Sequence, residues 1–157
     1  MQFARLSTIS CGIALAATIA LGSGATFAQS INALPVAIVS GTCESQGDVV
    51  AELKDVTPPS GDIQGSESAL AVWESSTEVR MKLSDLLASP HAIVVGSADD
   101  RDACGDIGGV VDRDGDLVIG MGALDTPVYF GIAEFDGDED DDDDELDVHV
   151  FVSLPPA

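Results

Sequence analysis

An all-β fold, an antiparallel Greek-key-like sandwich or barrel behind a cleaved export signal, is what three features of this chain predict. Short apolar runs recur along it, clusters of Gly, Pro, Asp and Ser separate them, and the half-polar runs alternate with period two. Helical periodicity is nearly absent.

The runs fall at residues 35–39, 49–53, 69–73, 79–83, 92–95, 117–121, 128–135 and 146–154. Each has strand length, and Thr57-Pro58-Pro59-Ser60-Gly61-Asp62 is the clearest interruption. In the last run Leu146, Val148, Val150 and Val152 occupy one face, while Asp147, His149 and Phe151 occupy the other. The aliphatic face belongs in the core. Val79, Met81 and Leu83 alternate in the same way with Glu78, Arg80 and Lys82. Half-exposed strands of this kind suit antiparallel sheets. Residues 84–88 predict one helical turn, stopped ahead of Pro90 because a residue preceding proline is pushed out of the α region.

Asp112-Arg113-Asp114-Gly115-Asp116 opens like a calcium loop, yet Leu117 stands where an EF-hand needs glycine and Ala123 where it needs glutamate. With Val110-Val111 before it and Leu117-Val118-Ile119 after it, Asp114-Gly115 is expected to form a primed hairpin turn.

The 157 residues carry 28 Asp+Glu against 6 Lys+Arg, a formal net charge of −22. Such a surface repels phosphate backbones and anionic lipid, which disfavours nucleic acid and membrane surfaces and leaves cations or a basic partner. The hydrophobic share of 45% is nevertheless too high for a wholly disordered chain, so a packed core is expected. Only Lys54 and Lys82 supply lysine, a balance that suits exposure to high salt, where counterions screen the repulsion.

Residues 1–28 follow the order of a secretory signal: Arg5, an apolar stretch over 9–21, then Thr26-Phe27-Ala28 with small residues at the cleavage positions. That stretch is shorter than the roughly 20 residues of a membrane span, so no membrane span is expected in the mature chain. Residues 29–157 then form a single β-sandwich domain, secreted or periplasmic, exported without a twin-arginine pair. Cleavage removes Cys11 and leaves Cys43 and Cys104, which in an oxidising compartment are expected to pair.

Residues 136–145 are acidic at every position but Gly137. So dense a block is expected to be a solvated loop between the last two strands. Its carboxylates, Asp136, Asp138, Glu139, Asp140, Asp141, Asp142, Asp143, Asp144 and Glu145, are the candidate cation ligands. Their oxygens suit Ca²⁺, weakly, because nothing fixes them. His91 and His149 are isolated and make no zinc or copper site, and no Gly-x-Ser-x-Gly elbow or histidine-paired serine is evident. No catalytic residues are assigned, and no cofactor is expected beyond weak Ca²⁺.

Three stretches carry a family resemblance: Pro35-Val36-Ala37-Ile38-Val39-Ser40-Gly41-Thr42-Cys43, residues 86–98 from Leu86-Leu87 to Gly96-Ser97-Ala98, and Ala103-Cys104-Gly105-Asp106-Ile107. Over residues 34–154 the chain resembles small exported bacterial proteins related to the CHRD and Cu/Zn superoxide dismutase-like β-sandwiches. In those relatives the first stretch reads Pro-Ala-His-Ile-His-Glu-Gly-Thr-Cys and the second ends Ile-Asn-Val-His. The resemblance implies the same sandwich, without its metal chemistry: Ala37, Val39 and Gly96 stand where the family carries histidines. A redox copper needs several imidazoles. The expected function is therefore a non-enzymatic structural or interaction module of the cell exterior, with low-affinity divalent-cation binding as the alternative and a degenerate superoxide dismutase-like protein behind both.

The export reading has a direct check. The intact mass of secreted protein is expected to correspond to a chain beginning at Gln29, and a product retaining residues 1–28 would refute it.

Overall fold

The fold is that of a computed structural model, which describes residues 33–62, 64–66, 68–97, 100–124, 130–137 and 144–153. The expected signal segment, 1–28, and acidic residues 138–143 lie outside the described residues. Eight strands form one antiparallel sheet: β1 (Leu34–Gly41), β2 (Gln46–Val56), β3 (Val72–Val79), β4 (His91–Ser97), β5 (Asp100–Asp106), β6 (Leu117–Ala123), β7 (Phe130–Gly137) and β8 (Leu146–Ser153). One short helix, α1 (Leu83–Leu87), lies between β3 and β4.

The strand order is β2-β1-β4-β5-β6-β7-β8-β3. The two ends of this sheet approach each other. The Thr57 N–H donates to the Glu74 carbonyl at 3.1 Å and the Glu74 N–H returns a bond at 3.2 Å, while the Lys54 N–H donates to Thr77 Oγ1 at 2.9 Å. The sheet is thereby a nearly closed barrel, which leaves little exposed edge. Reading across that seam, β4-β1-β2-β3 is the neighbour order of a Greek key.

Alternation puts the core inside the barrel. Val36 and Ile38 of β1, Ile93 and Val95 of β4, Leu117, Ile119 and Met121 of β6, Ala133 and Phe135 of β7 and the four aliphatic residues of β8 are all buried in one cluster. Phe135 is its largest fully buried side chain. Leu83 and Leu86 of α1 join the same cluster, so the helix serves as a plug in the crossover from β3 to β4. His91 ties that plug down, its Nδ1 lying 2.9 Å from the carbonyls of Leu86 and Ser89. Both partners are acceptors, so Nδ1 carries the hydrogen.

Cys43 and Cys104 are joined, linking the β1–β2 loop to β5 across a sequence separation of 61. The bridge lies outside the barrel over a second buried cluster of Val39, Ala92 and Val94. The Cys43 N–H donates to Asp106 Oδ1 at 2.7 Å, which holds the loop against β5. Closing a loop of this length is worth about 4 kcal/mol in the chain-entropy account.

Three sequence expectations need correction. The runs at 69–73 and 79–83 are not two strands: β3 passes through the polar residues between them, turning Trp73, Ser75, Thr77 and Val79 inward. Thr77 is tolerated there because the barrel seam offers its hydroxyl the backbone partner described above, whereas the Ser75 hydroxyl is buried without one. A strand was also missed, since β5 begins Asp100-Arg101-Asp102 and shows no apolar run. Finally, Asp114-Gly115 is not a two-residue primed turn. Of the two only Gly115 has positive φ, at 95°, and the loop is five residues wide, closed by the Asp112 N–H donating to the Asp116 carbonyl. The Asp112 carboxylate organises it, accepting from the N–H groups of Asp114 and Asp116.

Candidate functional site

The outward side chains of β6, β7, β8 and β3 can be read off the pairing register. Across these strands Gly122, Phe130, Ser153 and Val72 form one row, and Gly120, Ile132, Phe151 and Glu74 form the next. Val118, Glu134, His149 and Ser76 follow, and then Asp136, Asp147 and Glu78. The face is therefore apolar at one end and acidic at the other. Phe130 is 62% exposed and Ile132 46%, although both sit in strands whose alternate residues are buried. A hollow of about 380 Å³ lies among Val72, Phe130, Gly131, Ile132, Phe151 and Ser153.

Local sequence explains the shape of that hollow. Gly131 faces inward, where a Cβ would run into the Phe151 carbonyl and the Met121 methyl, so glycine is obligatory there. Gly120 and Gly122 face outward, beside Ile132 and Phe130, and a Cβ at either would meet nothing. Neither has positive φ. Packing and backbone conformation thus give no reason for glycine at these two positions, whose effect is to leave the floor of the face bare.

At the acidic end Glu78, Asp136, Glu145 and Asp147 surround a small polar hollow. Asp144 makes an exposed ion pair with Lys82, Nζ to Oδ1 3.2 Å, of a kind that contributes little stability. The rest of the predicted cation-binding block, Asp138, Glu139, Asp140, Asp141, Asp142 and Asp143, lies outside the described residues. Among the described residues no three carboxylate, imidazole or thiol groups converge as a metal ion would require.

Asp116 stands at the mouth of the five-residue loop, with Oδ1 buried and unpartnered. Desolvation by burial holds its carboxyl above the ordinary value of 3.8, and the neighbouring carboxylates of Asp136, Asp112 and Glu134 push the same way. The loop packs against the end of β7 so closely that a Cβ at Gly115 would stand 3.0 Å from the Gly137 carbonyl oxygen.

Ser76, His149 and Glu134 occupy one row, an arrangement that sequence reasoning could not see because three strands supply it. It has the residue types of a nucleophile, a base and an orienting acid, but no hydrogen bond joins them among the described residues, so the row is not assembled for nucleophilic attack. Ala37 and Val39 of β1 and Gly96 of β4 share an outward face on the opposite part of the barrel, Val39 being buried beside the disulfide. Among the described residues no helix is long and apolar enough to cross a membrane. No family model, curated protein or solved structure matches the chain.

The carboxylate cluster around Asp116 makes a pH prediction. The folded protein holds this proton more tightly than the unfolded chain does, so stability falls as pH rises through the raised titration range, and the loss is complete above it. Asp116→Asn is expected to raise the melting temperature by a few degrees at neutral pH, with the gain vanishing below the ordinary carboxyl value of 3.8. Thermal melts across pH check this, and a gain independent of pH would contradict it.

Proposed function

We propose that this is an exported, non-enzymatic acidic β-barrel domain that serves as an interaction module at the cell exterior. The exposed apolar end of the β6–β7–β8–β3 face carries that reading. Soluble proteins seldom leave large side chains contiguous on a surface unless something covers them, and here Phe130, Ile132, Phe151 and Val72 are contiguous across three strands. The disulfide is compatible with an extracellular location. The likeness of residues 35–43 and 86–98 to the CHRD and dismutase-like sandwiches supports an exported domain without metal chemistry, since alanine, valine and glycine supply no side-chain donor.

A second reading, weak association of Ca²⁺ through residues 136–145, is favoured by the polar hollow that Glu78, Asp136, Glu145 and Asp147 line without converging on one point. Oxygen donors suit that ion, and exposed ligands held by nothing else keep the affinity low.

The interaction reading is tested by placing a photo-crosslinking phenylalanine analogue at Phe130, and separately at Val110, which is 86% exposed and belongs to none of the rows of this face. In the secreting culture Phe130 is expected to yield one discrete adduct that Val110 does not. The same pattern at both positions, or no adduct at either, would overturn the reading.

A further inference from the structure

The interaction reading leaves the partner's chemistry open, and the face itself constrains it. Among the described residues of these rows its apolar end is bordered by carboxylates and by no Lys or Arg: Glu74 adjoins Phe151, Glu134 adjoins Ile132, and Asp136, Asp147 and Glu78 complete the far row. A second copy of the chain carries the same carboxylates, Glu74 and Glu134, beside its apolar end and the same net charge of −22, and like charges brought together are costly. Anionic lipid and nucleic acid are repelled for the same reason. The groups that satisfy both ends of the face are large apolar side chains together with ammonium or guanidinium groups.

The strand glycines add an independent argument. Glycine in a strand interior weakens the strand and frequently marks close approach by another chain. Gly120 and Gly122 are required neither by packing nor by backbone conformation, yet they lie in the two rows that contain Phe130, Ile132 and Phe151. Any side chain at these positions would stand on the face beside Ile132 and Phe130.

We propose, on the basis of the interaction reading, that this face docks a cationic polypeptide segment bearing large apolar side chains. Its apolar residues sit over Gly120 and Gly122 against Phe130, Ile132 and Phe151, and its Lys or Arg side chains reach Glu74, Glu134 and Asp147. The apolar contact supplies most of the affinity, because ion pairs at an exposed rim contribute mainly to association rate and orientation.

The test uses the mature, disulfide-intact protein and a short synthetic peptide alternating Lys and Leu around one Trp, titrated by calorimetry at low salt. Two control peptides accompany it, one all-Lys at equal charge and one with Ser in place of Lys. The alternating peptide is expected to bind saturably and at least about tenfold tighter than either control. Phe130→Ser is expected to weaken it by about tenfold or more. Gly120→Thr is expected to do the same while keeping or raising the melting temperature, since threonine favours strands and meets open space. That second variant separates blocked docking from damaged folding. Equal binding of the all-Lys peptide, unaffected by either variant, would reduce the effect to attraction by a polyanion and overturn the proposal. Equal binding of the Ser peptide would overturn the cationic partner while leaving the interaction face standing. Failure of all three peptides would overturn the proposal, and the Phe130 crosslink then decides whether the interaction reading falls with it.

Discussion

The pairing register of β6, β7, β8 and β3 is the constraint on which the remaining features depend. Because side chains alternate with a period of two, a slip of one residue would carry Leu146, Val148, Val150 and Val152 from the barrel interior to water and bring Asp147 and His149 inside. Burying one such carboxylate without a partner costs several kcal/mol, so the slipped state is strongly disfavoured. The same register writes the outer face. Once Val150 is opposite Ala133 and Ser75, Phe151 must be opposite Ile132 and Glu74. Core and candidate site are therefore two consequences of one alignment.

The surface charge works against this alignment and is managed locally. Where the five-residue loop abuts the end of β7, desolvation of Asp116 and its repulsion from Asp136, Asp112 and Glu134 together raise its carboxyl pKa. The opposing terms lie elsewhere: the core around Phe135, the helix plug held through His91, and a disulfide that constrains the unfolded chain. The acidic and apolar ends of the face are thus separated along the strands. Repulsion accumulates at the end near residues 136–147, while the end bearing Phe130 and Phe151 is free to remain apolar.

Much of the fold was legible because it rests on local pattern. The alternation of β8 named its own buried face, and Pro90 ended the helical turn where expected. Pairing of Cys43 with Cys104 followed from their being the only two cysteines after residue 28. What was not legible is what neighbouring strands decide. The polar centre of β3 reads as a break until β2 and β8 flank it, and β5 reads as a loop until β4 and β6 pair with it. The candidate site was invisible for the same reason: Val72, Gly120, Phe130 and Phe151 come from four strands, and nothing within any one of them marks the others as neighbours. The five-residue loop differs from a primed hairpin because the Asp112 carboxylate supplies backbone partners that the residue types alone do not specify.

The register itself is open to direct measurement by nuclear Overhauser contacts between strands in the isotope-labelled protein. The account predicts backbone contacts of Val150 with Ala133 on one side and Ser75 on the other, together with Gly131 opposite Val152. Contacts shifted by one residue, joining Phe151 to Ala133, would place the aliphatic face of β8 in solvent and contradict both the core and the face built on it.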